Sequence, residues 1–173
     1  MVTARALALA IATTSCLVTC ALDPTQDDAV ADLGDEAPGV PPGPTHRAGQ
    51  PCLVCHDGST ASPAMSVAGT AYGVLGANAP LRGASVVFTD VNGATTTATT
   101  NDVGNFWVPA SAWQPTYPLH AAVQVGDVQA TMSSIIGRDG SCAGCHVDPP
   151  SRVSPGPVYL VPSAALLPDG GAK

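Results

Sequence analysis

The sequence predicts a mainly β chain: an antiparallel β-sandwich flanked by two loop-rich segments, each carrying one Cys-x-x-Cys-His. Three observations predict it. From residue 66 to 132 the chain is rich in Val, Thr, Ala and Gly, with turn-forming residues at short intervals. Short β-branched or alternating runs between such turns are the pattern of a sandwich. No long stretch of amphipathic helical periodicity stands out anywhere. Finally, Cys52-Leu53-Val54-Cys55-His56 lies just before the Val/Thr region, and Cys142-Ala143-Gly144-Cys145-His146 just after it.

The strands follow in order. Residues 85–89, Ser-Val-Val-Phe-Thr, read as a strand closed by the turn Asp90-Val91-Asn92-Gly93. Residues 95–100 alternate well enough to return alongside it. Asn101-Asp102-Val103-Gly104 is a second turn, and residues 105–108 a third strand. Leu119–Val125 is a fourth, with Leu119, Ala121, Val123 and Val125 on one face. Gly126-Asp127 turns the chain back into residues 128–132. The tail after the second pentapeptide is Pro-rich and offers one further strand, Val158–Val161.

Charge divides the chain further. There are 13 acids and 6 bases among 173 residues, a net charge of −7. Six of the acids (Asp23, Asp27, Asp28, Asp32, Asp35 and Glu36) fall between residues 21 and 45, where no Lys or Arg occurs. That stretch is also rich in Pro and Gly. It cannot build a core and reads as a disordered, solvated tether. Its acidity argues against nucleic acid and against electrostatic attraction to anionic lipid. From residue 46 onward, seven acids face five bases and the body is nearly balanced. The expected layout is an export segment over 1–20, the tether over 21–45, a first haem-binding segment over 46–65, the sandwich over 66–132, and a second haem-binding segment with tail over 133–173.

The two pentapeptides are the strongest chemical signal. Cys-x-x-Cys-His is the attachment pattern of c-type haem. The cysteines, about one turn apart, can add to both vinyl groups on one edge of the macrocycle. The next residue supplies the proximal imidazole to iron. With 4 His in the chain, His would follow both Cys-x-x-Cys pairs by chance roughly once in two thousand such sequences. The competing readings are one zinc held by four cysteines, or disulfide and thiol chemistry. Zinc-binding pairs usually lie about 15–20 residues apart, whereas 86 residues separate Cys55 from Cys142. A thioredoxin-like site needs a βαβ context that the strand pattern lacks. Two covalent c-type haems are therefore expected, on Cys52, Cys55 and His56 and on Cys142, Cys145 and His146.

Six-coordinate irons need two more ligands. His46 and His120 complete a count of four histidines for two irons. His120 falls on the strand face away from Leu119 and Val123. Met65 and Met132 are the rivals, and a thioether would raise the reduction potential relative to a second imidazole. Arg47 and Arg152 lie near the motifs and could neutralise haem propionates. Each of these residues also has an ordinary surface reading.

The N-terminus agrees with haem chemistry outside the cytoplasm. Arg5 precedes an apolar stretch over 6–18, the form of an export signal; it is short for a membrane span. Leu17-Val18-Thr19-Cys20 resembles a bacterial lipobox, although that family prefers Gly, Ala or Ser where Thr19 stands. Thr14-Ser15-Cys16 is a weaker match. The resemblance implies lipidation at Cys20 and a periplasmic or cell-surface lipoprotein, anchored at the outer membrane through that lipid alone. The alternative is ordinary signal cleavage nearby.

The middle region resembles the carboxypeptidase regulatory-like family, a transthyretin-like sandwich. The likeness rests on Val67-Ala68-Gly69-Thr70, Pro80-Leu81-Arg82-Gly83-Ala84-Ser85-Val86, Asn92-Gly93, and Thr100-Asn101-Asp102-Val103-Gly104-Asn105-Phe106. It implies a scaffold or adhesive module without catalytic residues. The body as a whole is similar to small exported dihaem cytochromes of bacteria with such an insert. The expected function is one-electron transfer with unidentified redox partner proteins, not enzymatic catalysis, because the acids lie in the tether or in turns and form no catalytic cluster. The alternatives are a haem-based sensor or peroxidase-like protein, and a zinc-stabilised or haem-free surface interaction module.

Overall fold

The computed structural model describes residues 24–74 and 76–161. The export and lipidation readings, Cys20 included, lie outside the described residues. The chain divides after Gly34 into two units. In the first, Pro24–Asp32 is a helix, α1. Pro24 suits the first helical position, where a missing N–H costs nothing, and Asp27 in the first turn suits the helix dipole. None of its residues is buried, so it adds order to the stretch read as a tether but no core.

The second unit is a mainly β, two-sheet sandwich. Its strands are β1 (Met65–Val74), β2 (Ala77–Pro80), β3 (Ser85–Asp90), β4 (Thr95–Thr99), β5 (Asn105–Pro109), β6 (Leu119–Val125), β7 (Val128–Thr131) and β8 (Val158–Val161). One sheet runs β4-β3-β6-β7 and is wholly antiparallel. The other is built on β1, which pairs antiparallel with β2 and β5 and parallel with β8. The sandwich therefore does not end at residue 132, because the tail returns to add β8. The strand over 119–125 buries Leu119 and Val123 as its alternation requires, while Val125 frays into solvent at the turn.

The core lies between the sheets. Val86 and Phe88 from β3, Phe106 and Val108 from β5, Leu119 and Val123 from β6, and Val67 and Ala71 from β1 are buried together. Phe88 and Phe106 face each other across the layers, with ring centroids 6.2 Å apart and planes tilted by 38°. The turns carry the acids. The Asp90 carboxylate accepts backbone N–H bonds from Thr116, Asn92 and Ala94 at 3.1, 2.9 and 2.9 Å. The bond from Thr116, reinforced by the others, holds Asp90 below the usual carboxylate range. It is a structural acid. Gly104 has φ +82, and a side chain there would collide with the Ala71 carbonyl.

β1 organises the functional half of the molecule. Residues 67–71 are all buried, without the alternation of a strand that faces water on one side. Val67 and Ala71 point into the core. The outer face and the free edge of the strand are covered by the two Cys-x-x-Cys-His segments.

Candidate functional site

The two pentapeptides fold alike. Cys52–Val54 and Cys142–Gly144 are each a single 3-10 turn. Pro51 precedes the first with φ −74 and ψ 94, and Ser141 precedes the second with φ −79 and ψ 96. In each turn the His N–H donates back to the first Cys carbonyl: His56 to Cys52 at 2.9 Å, and His146 to Cys142 at 2.8 Å. This bond folds the imidazole back over the same turn that presents the two thiols.

Each imidazole is also oriented by a carbonyl beyond its motif. His56 Nδ1 lies 2.8 Å from the Pro63 carbonyl, and His146 Nδ1 lies 2.8 Å from the Gly156 carbonyl. A carbonyl can only accept, so Nδ1 carries the proton and Nε2 keeps its lone pair. That is the tautomer a metal-ligating histidine needs, and such an outer hydrogen bond makes the ligand more basic. The loops that deliver these carbonyls are themselves fixed. Met65 N–H donates to the His56 carbonyl at 2.9 Å as β1 begins. On the other side, the buried Ser154 hydroxyl donates to the Val147 carbonyl at 2.8 Å and accepts from Gly156 N–H at 3.1 Å.

The first segment is tied to the outer face of β1 by a polar chain. Gly49 N–H donates to Thr70 Oγ1 at 2.8 Å, and Thr70 Oγ1 donates to Asn105 Oδ1 at 2.7 Å. Asn105 Nδ2 in turn donates to the His46 carbonyl at 2.9 Å. Asn101 Nδ2 donates to the Pro44 carbonyl at 2.6 Å. The residues quoted above for the regulatory-like resemblance thus also hold the first motif in place. His46 is brought against His56, with ring centroids 5.8 Å apart and planes tilted by 35°. Arg47 is engaged by Glu36, 3.9 Å away, and by Gln50 at 2.7 Å.

The second segment reaches β1 at its free edge. Ala68 N–H donates to the Gly140 carbonyl at 3.0 Å, and Ala68 pairs with Ser141 as an isolated parallel bridge. This seats Cys142 against the core beneath Gly69. Beside it opens a cavity of about 730 Å³, within the range of about 300–1,000 Å³ usual for small-molecule and cofactor sites. Phe88 and Phe106 form its apolar floor, and Cys142, Cys145, His146 and Met132 stand around it. Ser141 also lines it. Its hydroxyl is the one buried side-chain polar atom without a hydrogen-bond partner among the described residues. A buried hydroxyl of that kind calls for a polar partner.

These observations fit haem. The donor set is two thiols and one Nδ1-protonated imidazole per motif, and the second motif adjoins an apolar cavity of cofactor size. Arg138 stands at the exposed rim of that cavity, where a propionate could meet it, and was not among the arginines read from sequence. Arg152 is exposed and His120 is exposed on β6; neither lines the cavity. Among the described residues, no three of His, Cys, Asp and Glu converge on a metal-ion site. No described helix is long and apolar enough to cross a membrane. Compared with known protein families, curated proteins and solved structures, the chain matches none.

The thiols differ in environment. Burial pushes Cys142 up to about 12, helped by nearby Cys52 and Asp139, and burial also raises Cys52. Cys145 is exposed. Thiolates, not thiols, react with iodoacetamide. In haem-free protein at pH 8, Cys145 should therefore label first. Labelling of Cys142 should climb about tenfold per pH unit from pH 8 to 10, since the fraction ionised rises that way well below the pKa. A raised folded-state value also means that this thiol lowers stability as pH climbs past the ordinary thiol range, and has no effect below it. Peptide mapping by mass spectrometry reads the order. Equal labelling of both cysteines at pH 8 would contradict the seating of Cys142 against β1.

Proposed function

We propose that the chain is an exported dihaem c-type cytochrome that carries single electrons between redox partner proteins. The observation that carries this reading is the duplicated turn: two Cys-x-x-Cys-His segments with the same backbone path, each imidazole locked by an Nδ1 hydrogen bond of 2.8 Å. Disulfide or zinc chemistry explains neither the conserved turn-plus-imidazole unit nor the presentation of Nε2. When bound, haem supplies reversible one-electron chemistry at iron.

The chain's own residues do the rest. Cys52, Cys55, Cys142 and Cys145 hold the macrocycles by thioether bonds, each thiol hydrogen passing to a vinyl carbon as its sulfur bonds the neighbouring one. His56 and His146 hold the irons. Phe88 and Phe106 exclude water from the second site. The leading thiols, Cys52 and Cys142, are close enough for each other's charge to matter. Groups attached there would be neighbours across β1, as exchange of electrons between them requires. The acids sit in turns such as Asp90, away from the motifs, and no acid–base pair faces either imidazole among the described residues. A catalytic role has correspondingly little support.

Protein exported from a host with haem-attachment machinery should carry haem that survives denaturing gels, and its intact mass should exceed that of the polypeptide by two haems. Protein with bound zinc and no covalent haem would overturn the proposal. We also assign lipidation to Cys20, from the lipobox-like Leu17-Val18-Thr19-Cys20. Cys20→Ala should move the protein from the membrane fraction to the soluble one. Unchanged partitioning, with no lipid on the N-terminal peptide, would remove the anchor and leave the haem reading intact.

A further inference from the structure

The two motifs share a turn but not their surroundings, and the difference bears on the second axial ligand of each iron. The cavity beside His146 is lined by no second histidine among the described residues. It is lined by Met132, which directly follows β7 and whose N–H is held by the Ala121 carbonyl at 2.9 Å. A thioether is a soft, adaptable donor with no proton to lose. Tyr159 also lines the cavity, but a phenol must ionise before it binds iron. Cys142 and Cys145 are committed to attachment. His120, the other histidine in the count of four, is exposed and outside the cavity.

The first motif is the opposite case. His46 already stands against His56, at 5.8 Å between ring centroids. Asn105 grips the His46 backbone, so the ring's position follows from the fold. Gly43 N–H meets His46 Nδ1 at 3.4 Å, beyond the usual hydrogen-bond range, so the ring is lightly held and free to change tautomer.

We propose that Met132 is the second axial ligand at the His146 haem and His46 the second axial ligand at the His56 haem, so that the two irons work at different potentials. The inference rests on the dihaem reading. Methionine–histidine ligation raises the reduction potential relative to two imidazoles. The His56 centre is then the stronger reductant, and the His146 centre is the acceptor. Electrons run across β1 in one direction, from the first segment into the cavity between the sheets.

The test uses the full chain loaded with haem. Redox titration followed by absorbance should give two steps of roughly equal amplitude, and the oxidised protein should show a thioether-to-iron charge-transfer band. Met132→Leu keeps the bulk and removes the sulfur. It should abolish that band, move the upper step alone, and let about half of the total haem bind carbon monoxide. His46→Ala should shift the lower step and keep the band. His120→Ala should change none of these readings. A band that persists in Met132→Leu, or a parent protein with two covalent haems and no such band, would overturn the assignment and leave the dihaem reading standing. A parent protein without covalent haem would overturn both.

Discussion

Replacing Cys52 and Cys55 together by Ala is expected to remove one covalent haem and leave the other, and replacing Cys142 and Cys145 is expected to do the converse. The independence follows from construction. Each turn is closed by its own His-to-Cys backbone bond, and each imidazole is set by its own carbonyl, Pro63 in one case and Gly156 in the other. No hydrogen bond links the two turns directly among those described. Intact mass should fall by one haem in each double variant, and haem staining should halve. The second pair should cost more stability. Its haem fills the apolar space against Phe88 and Phe106, where lost contacts fall on the core. The first segment lies outside the sheet, on the Thr70–Asn105 chain. A single four-cysteine metal site predicts something else: either double variant would release the same one ion. That result would overturn the haem reading at its root.

Much of this molecule was legible in its residues, for physical reasons that differ by element. β3, β4, β5, β6 and β7 alternate, because one face meets the core and the other meets water, and Gly-containing turns separate them. β1 does not alternate. Its Ser-Val-Ala-Gly-Thr-Ala run looks featureless because 67–71 is buried on both faces, and what buries the outer face comes from segments far away in sequence. β2 is short, and β8 pairs in parallel with a strand more than eighty residues earlier, which no local pattern encodes. In the site, the attaching residues were legible because thioether chemistry fixes their spacing. Their supports were not. Pro63 and Gly156 act through backbone carbonyls, which leave no side-chain signature. Thr70 and Asn105 matter because the fold brings them to the His46 loop. Arg47 illustrates the converse: near the motif in sequence, it is paired with Glu36 and Gln50 in space.

Substitution at Gly69 should separate the two haem sites most sharply. A Cβ placed there would lie 2.7 Å from Cys142 Cβ, 2.9 Å from Phe106 Cζ and 3.2 Å from Cys142 Sγ. None of these neighbours can yield freely: Phe106 is pinned in the core against Phe88, and Cys142 belongs to a hydrogen-bonded turn. Gly69→Ala should therefore destabilise the fold by about 1–3 kcal/mol, the usual cost of overpacking. Gly69→Val should displace the second turn from β1 and sharply lower haem attachment there. The first motif, held through Thr70 on the other face, should keep its haem. Gly73 supplies the control. It lies on the same strand with nothing within 4 Å of an added Cβ. There Ala only restricts the unfolded chain, which stabilises by about 0.4–1 kcal/mol. The two Gly→Ala changes on one strand should thus move the denaturation midpoint in opposite directions. Only the Gly69 series should lower the haem count, from two to one by intact mass. If Gly69→Val retained both haems at parental stability, Cys142 would not seat against β1. The account of the second site as a cofactor held between the sheets would then fail with it.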